Sequence, residues 1–367
     1  IYINVKPEEE ARITRISLPA LPGSGGQGGQ GGRPGNAGTG RLGPGQAGYV
    51  GSAAWSPDGK SLAWTVVRDV EYKPHDVRIC VRPVNGGQVR TLEAPTGPKD
   101  SLLWTPDSRR LLYLGYEEDK DSWGTRNAHV WMVKATGKGE ARDIMPELDQ
   151  TCSPYTLCDC QGSPGLRAFT LAPEGNAVDV LVANEGATQL LCCRLDGGKP
   201  RVLLGGHAHT YGFTEEVGGK VIVTTQSPVE PGLVQAVSTA SGGRPKTLWN
   251  PNGDLVSTLD LSRPQEMWVE CAETGRKVQG WVLKPPGFVP SRKYPMILQI
   301  HGGPHTQYGA GFFHEFQWLA GKGYVILFTN PVGSQGRGEA YMQGLRRKWG
   351  EADFPELMAF VDALLAE

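Results

Sequence analysis

The chain has 367 residues, with 37 Lys and Arg against 38 Asp and Glu, for a net charge of −1. That balance excludes the broad basic face that nucleic-acid partners require, and no apolar run approaches the ~20 residues of a membrane-spanning helix. The length accommodates two cores rather than one, while 51 Gly and 28 Pro favour many turns and short strands over long helices.

The sequence opens on Ile1, with neither a charged n-region nor an apolar h-region behind it. It therefore reads as beginning inside a longer protein. Seven Cys, an odd number without regular spacing, favour a reducing, cytoplasmic compartment. Cys152, Cys158 and Cys160 fit no familiar zinc spacing, so they read as ordinary thiols, with no metal and no cofactor implied.

In chain order, residues 1–18 alternate like the second half of a four-stranded β unit. Residues 22–48 form a Gly-rich, low-complexity tract, read as a flexible insertion because it has too little side chain to pack. From Tyr49 to Asn252 a repeat shows through. Its first half is a strand, a turn and a strand, beginning near Ser52, Ser101, Ala168 and Tyr211, with Trp55 and Trp104 at equivalent places. Pro57-Asp58-Gly59 supplies turn chemistry in the first copy. The second half is again a hairpin, turning at Asn85-Gly86, Asp196-Gly197 and Ser241-Gly242. Two hairpins per unit, at a period of roughly 45–60 residues, predict blades of a β-propeller, incomplete at its N-terminal end.

The rhythm changes after Asn252. Two strands flank a Glu-Thr-Gly turn from Leu259, and a buried strand from Tyr294 ends in a Gly-Gly turn. A helix follows from Phe312, a second buried strand from Tyr324, and a helix from Pro355 with Pro in its first turn. This order predicts the start of an α/β sheet. The domain boundaries are accordingly 1–258, a partial β-propeller with the 22–48 insertion, and 259–367, the N-terminal part of an α/β-hydrolase domain.

Three stretches carry a more specific signal: ILQIHGGPH (Ile297 to His305), TNPVGSQGRGEAY (Thr329 to Tyr341) and KWGEADFPELMAFVDALL (Lys348 to Leu365). In this order and spacing they resemble the beginning of the catalytic domain of prolyl oligopeptidase family serine peptidases, in particular the acylaminoacyl-peptidase-like branch. The chemistry of the Gly-Gly turn stands beside the resemblance. Acyl transfer builds negative charge on a carbonyl oxygen, and fixed backbone N–H donors lower that barrier. Paired glycines after a buried strand let the backbone turn an N–H toward such an oxygen. The resemblance makes Gly303 an oxyanion donor, with His301, Gly302 and Pro304 holding the turn, and makes Asn330, Gly333, Ser334 and Arg337 part of a loop lining the approach.

The sequence departs from the family at Val332, where Arg is usual, and Arg337 is the candidate substitute. Trp349, Gly350 and Asp353 read as packing and capping residues. The segment Gly333-Ser334-Gln335-Gly336 is not a nucleophile elbow, since its glycine spacing is wrong for G-x-S-x-G. No acid–base pairing can be read for His305, His314, His207 or His209, although His207 and His209 would share a face if both lay on a strand. Glu215 and Glu216 read as a solvated turn.

The resemblance implies a serine peptidase acting on short peptides, with its Ser-Asp-His triad beyond Glu367 and this stretch inactive by itself. Two alternatives stay open at this point: a propeller-based binding protein with a degenerate hydrolase tail, and an esterase on the same fold. Homo-oligomerisation cannot be read either way.

Overall fold

The structure is a computed structural model and describes residues 49–67, 77–118, 124–137, 139–152, 154–160, 168–240, 244–303 and 305–366. The strand expected in residues 1–18, the 22–48 tract, Ser241-Gly242 and Pro304 lie outside these residues.

Four antiparallel, four-stranded meanders come first. The first sheet contains β1 (Tyr49–Trp55), β2 (Ser61–Val67), β3 (Val77–Pro83) and β4 (Arg90–Thr91); the second contains β5 (Lys99–Trp104), β6 (Arg110–Gly115), β7 (His129–Lys134) and β8 (Arg142–Asp143). The third is β9 (Phe169–Leu171), β10 (Ala177–Asn184), β11 (Ala187–Arg194) and β12 (Arg201–Leu204). The fourth is β13 (His209–Phe213), β14 (Lys220–Ser227), β15 (Glu230–Ser238) and β16 (Lys246–Trp249), and a single parallel pairing, Thr188 with His209, joins it to the third.

The turns follow from local chemistry. Asp58 accepts hydrogen bonds from the Ser56 hydroxyl (2.6 Å) and the Lys60 N–H (3.0 Å), and Gly59 takes the positive φ (70°) that closes the hairpin. Asp107 repeats the arrangement with Thr105 (2.6 Å) and the Arg109 N–H (3.0 Å).

Side-chain alternation explains why these strands read as apolar runs. On β6, Leu111 and Tyr113 pack with Ala63, Ile79 and Val81 of the first sheet, while Leu112 packs with Val178 and Val180 of the third. Successive residues of a strand point to opposite faces, so a sheet buried on both faces needs apolar residues at nearly every position. Leu190, Leu203, Val221, Val223 and Val237 fill the space between the third and fourth sheets in the same way. The sheets therefore stack face to face in sequence order.

A short helix α1 (Gly253–Val256) leads to a mixed sheet. Its strands are β17 (Gln265–Cys271), β18 (Arg276–Leu283), β19 (Met296–Gln299) and β20 (Val325–Asn330), in spatial order β17-β18-β20-β19. β19 and β20 run parallel and are connected through helix α2 (His314–Gly321), while β18 pairs antiparallel with β20. Helices α3 (Glu339–Gln343) and α4 (Phe354–Leu365) follow. Ile326 and Phe328 face α2, and Val325 and Leu327 face α4 through Phe360. Gly280 permits the close approach of α4, because a Cβ there would lie 2.8 Å from the Phe360 ring.

Two expectations need correction. Asp353 does not cap α4: its carboxylate turns back to accept the Gly350 N–H at 2.6 Å, and the helix start has no side-chain cap. Trp349, expected to pack, is 59% exposed among the described residues.

Candidate active-site turn

The parallel strand β19 delivers the chain into the turn His301-Gly302-Gly303. Gly303 adopts φ 134°, and a Cβ there would stand 3.2 Å from the His305 nitrogen, so a residue without a side chain is required. Gly302 and Gly303 are exposed, and no described residue accepts a hydrogen bond from the Gly303 N–H.

The turn is held by side chains from two directions. His301 Nε2 lies 2.9 Å from Ser334 Oγ, and Ser334 donates its own hydroxyl hydrogen to the Pro331 carbonyl at 2.7 Å. His301 Nδ1 lies 2.9 Å from the Gly302 carbonyl and 3.0 Å from Thr306 Oγ1, whose hydroxyl donates to the same carbonyl at 2.6 Å. Burial pushes the His301 pKa below its usual value, with hydrogen bonds to Gly302 and Asn330 opposing the shift. A neutral ring with both nitrogens occupied props the turn; it is not placed as a base. His305 is likewise engaged, at 2.6 Å from the Gly333 carbonyl, and burial also lowers its pKa.

The loop following β20 is buried from Pro331 to Gln335 and supports the turn from beneath. The Gln335 N–H donates to the Thr306 carbonyl (2.9 Å), and the carboxamide of Asn330 exchanges two hydrogen bonds with the backbone of Tyr308 (2.8 and 3.0 Å). Gly333 takes a positive φ and has the Leu345 side chain where its Cβ would be. Ser334 is 1% exposed. Asn330, Gly333 and Ser334 thus gather around the turn through hydrogen bonds, whereas Arg337 points elsewhere. Its guanidinium lies 4.3 Å from the Tyr341 ring centre and 5.0 Å from that of Trp268, and donates to the Lys277 carbonyl at 2.5 Å. At Val332 the side chain is buried against Gly344, and the N–H donates to the Glu356 carboxylate at 2.7 Å.

Two residues that sequence reasoning passed over tie this region together. Gln307, fully buried, accepts the Gly186 N–H (3.0 Å) and donates to Thr156 (2.7 Å) and the Ala187 carbonyl (2.9 Å), clamping the segment after the turn onto the third sheet. Glu356, on α4, accepts from Val332, from Arg276 (2.6 Å) and from Thr274 (3.1 Å). Neither belongs to a local motif, and the partners of Gln307 lie more than a hundred residues away in sequence.

Of the remaining candidates, His207 is exposed in the turn before β13, whereas His209 begins that strand, is buried and contacts Thr188 at 3.0 Å. The two do not share a face. Cys152 sits in the core between the second and third sheets, with its thiol 3.2 Å from the Met145 sulfur. Burial raises the thiol of Cys158 to about 11. Among the described residues no cluster of three His, Cys, Asp or Glu is placed to hold a metal. A cavity of about 630 Å³ opens between the second sheet and α3, where Arg126 pairs with Glu339 (2.9 Å) and Asp149 accepts the Glu339 N–H (2.8 Å). The glycine turn is not part of its lining.

Comparison with known proteins agrees with this arrangement. Residues 310–367 match the prolyl oligopeptidase family. An uncharacterized peptidase, YuxL, of Bacillus subtilis is 40% identical over 121 residues, 33% of this chain and 18% of that protein. Dipeptidyl-peptidase 5 of Aspergillus fumigatus is 26% identical over 331 residues, 83% of this chain and 42% of that protein. The chain is similar to peptidases of the prolyl oligopeptidase family. Among solved structures, an acylaminoacyl peptidase in complex with Z-Gly-Gly-Phe-chloromethyl ketone superposes with a TM-score of 0.66 at 23% identity, covering 86% of this chain and 45% of that one. A puromycin-hydrolyzing peptidase of Mycobacterium tuberculosis gives 0.60 at 23% identity, over 87% and 48%. These two likenesses establish the fold. The chain spans about half or less of the length of the peptidases it matches.

Proposed function

We propose that this chain supplies the oxyanion turn and part of the lid of a serine peptidase that hydrolyses short peptides. The four stacked sheets are blades of a propeller extending to residue 258, and the segment from residue 259 begins the α/β-hydrolase domain. The observation carrying this reading is the turn itself. The Gly303 N–H is unengaged and exposed, on backbone that only glycine adopts comfortably, and a neutral His301 and Thr306 prop it from behind. Such a preorganised donor suits an oxygen that becomes negatively charged during acyl transfer.

In this reading a serine hydroxyl elsewhere in the natural polypeptide attacks the scissile carbonyl, a histidine takes its proton, and Gly303 holds the oxyanion with a second backbone donor. Ser334 is excluded as the nucleophile because it is buried and its hydrogen is committed to Pro331. The acylaminoacyl-peptidase-like branch is the expected relative.

The test is fluorophosphonate labelling of the intact natural protein, paired with hydrolysis of short peptide anilides. Labelling and turnover are expected, and Gly303→Ala should lower kcat by about 10²–10³-fold while labelling persists at a reduced rate. A protein that is folded yet neither labelled nor active would overturn the reading.

A further inference from the structure

At the far end of the first two sheets lies a second cavity, of about 390 Å³, whose wall carries Arg90, Arg109, Arg110 and Lys134. Among the described residues no acidic side chain lines it. It is remote from the turn described above. Arg110 starts β6, whereas the loop beyond the other end of that strand supplies Arg126 and Asn127 to Glu339. A six-residue strand is roughly 17–20 Å long, so the cavity opens on the side of the sheets away from the hydrolase segment.

Four cations in one cavity are not a reflection of composition, since the chain as a whole is balanced at −1. None of the four forms a salt bridge among the described residues. The acids of the two adjoining hairpin turns are engaged by their own turns. Asp107 is held below the usual carboxylate range first by the Thr105 hydroxyl and then by the Arg109 N–H, with the charges of Arg110 and Arg109 adding to the effect. Asp58 is held the same way by the Ser56 hydroxyl and the Lys60 N–H. Each acid closes its own hairpin.

The cavity is also rigidly framed. Ser108 sits in the left-handed region (φ 58°), and its hydroxyl accepts the Asp58 N–H at 3.2 Å, linking the hairpin turns of the two sheets. Trp104, buried in the wall, donates its indole N–H to the Ala54 carbonyl at 3.0 Å. Binding there needs little reordering of the backbone, which lowers the entropic cost of taking up a ligand.

We propose that this cavity binds an oligophosphate, a ligand of two or more linked phosphoryl groups. Three guanidinium groups, one ammonium and the hydroxyls of Ser61, Ser108 and Thr136 line it, a donor set suited to phosphoryl oxygens. A single carboxylate would leave most of the positive charge uncompensated. The inference does not depend on the peptidase reading, because it uses none of the residues around Gly303.

The test is calorimetric titration of the intact natural protein with sodium triphosphate at fixed ionic strength, beside Arg90→Ala/Arg110→Ala and a control double variant, Arg292→Ala/Lys293→Ala. Saturable one-to-one binding is expected, weakened at least ~10-fold in the first variant and unchanged in the control. Melting curves without ligand establish that both variants are folded. Competition by ATP would identify the tail of a nucleotide as an occupant; triphosphate binding that ATP does not displace would identify a free polyphosphate. Absence of saturable binding at millimolar triphosphate, or equal affinity in the wild type and the Arg90→Ala/Arg110→Ala protein, overturns the proposal.

Discussion

The carboxylate of Glu356, fully buried on α4, accepts the backbone N–H of Val332 at 2.7 Å while its other oxygen takes Arg276 at 2.6 Å. One side chain thus fixes the loop beneath the glycine turn, the start of β18 and the helix that covers the sheet. Glu356→Ala would strand a buried N–H and leave Arg276 without its partner. The expected loss is about 2–4 kcal/mol of stability, seen as a lower denaturant midpoint with an unchanged slope. Glu356→Gln keeps an acceptor for Val332 and should lose less. Equal stability of the Ala variant and the wild type would show that the loop is held by other contacts.

Gln307 offers a separable test, because it connects the segment after the turn to the third sheet rather than to the helix. Its carboxamide makes three hydrogen bonds in a fully buried place. Gln307→Leu leaves the Gly186 N–H and the Thr156 hydroxyl without this partner, at a cost of about 2–3 kcal/mol. Hydrogen exchange should accelerate first at Gly186 and Leu157, whose N–H groups bond to Gln307. Uniform acceleration across all the sheets would instead indicate a global effect.

The hairpins were legible because their causes are local: Asp58 and Gly59 carry the turn chemistry within a few residues. The strand-helix-strand order from Tyr294 was legible for the same reason, since β19, α2 and β20 each announce themselves in apolar spacing. Asp353 misled because an acid before a helix ordinarily caps it, and nothing local revealed that the Gly350 N–H would compete for its carboxylate. Gln307 and Glu356 were invisible for a deeper reason. Their roles are set by partners far away in sequence, and a lone Gln after a turn or a Glu in the first turn of a helix looks like ordinary surface chemistry. The glycine turn was the reverse case, since paired glycines after an apolar strand have few other uses.

Asp179 lies on β10, 1% exposed, and neither of its oxygens finds an N–H or O–H donor. Burial raises its pKa from 3.8 to about 6, opposed in part by the Cys192 thiol beside it. The folded state therefore binds the proton more tightly than the unfolded chain does. This contribution is fully present below about pH 4 and is lost as pH rises through about 6. Asp179→Asn removes the dependence. The variant should match the wild type near pH 4 and exceed it by about 2–3 kcal/mol above pH 7, measured by urea unfolding at both pH values. A variant less stable than the wild type at pH 7.5 would mean that the carboxylate has an essential partner.

His209 works in the opposite direction on β13, separated from β10 by β11. It is 4% exposed, and burial lowers its pKa from 6.5 to about 4. The unfolded chain now binds the proton more tightly. This contribution is complete above pH 6.5 and falls away as pH drops toward 4, by about 3 kcal/mol in total. Between about pH 4 and 6 it runs against the slope from Asp179, so the wild-type protein should show a flatter acid profile than either residue alone would give. Asp179→Asn should unmask the histidine: its stability should rise steeply with pH between 4 and 6.5. His209→Gln should unmask the aspartate, with stability falling over nearly the same window. Parallel profiles for the two variants would refute the assignment of opposing slopes to these two residues.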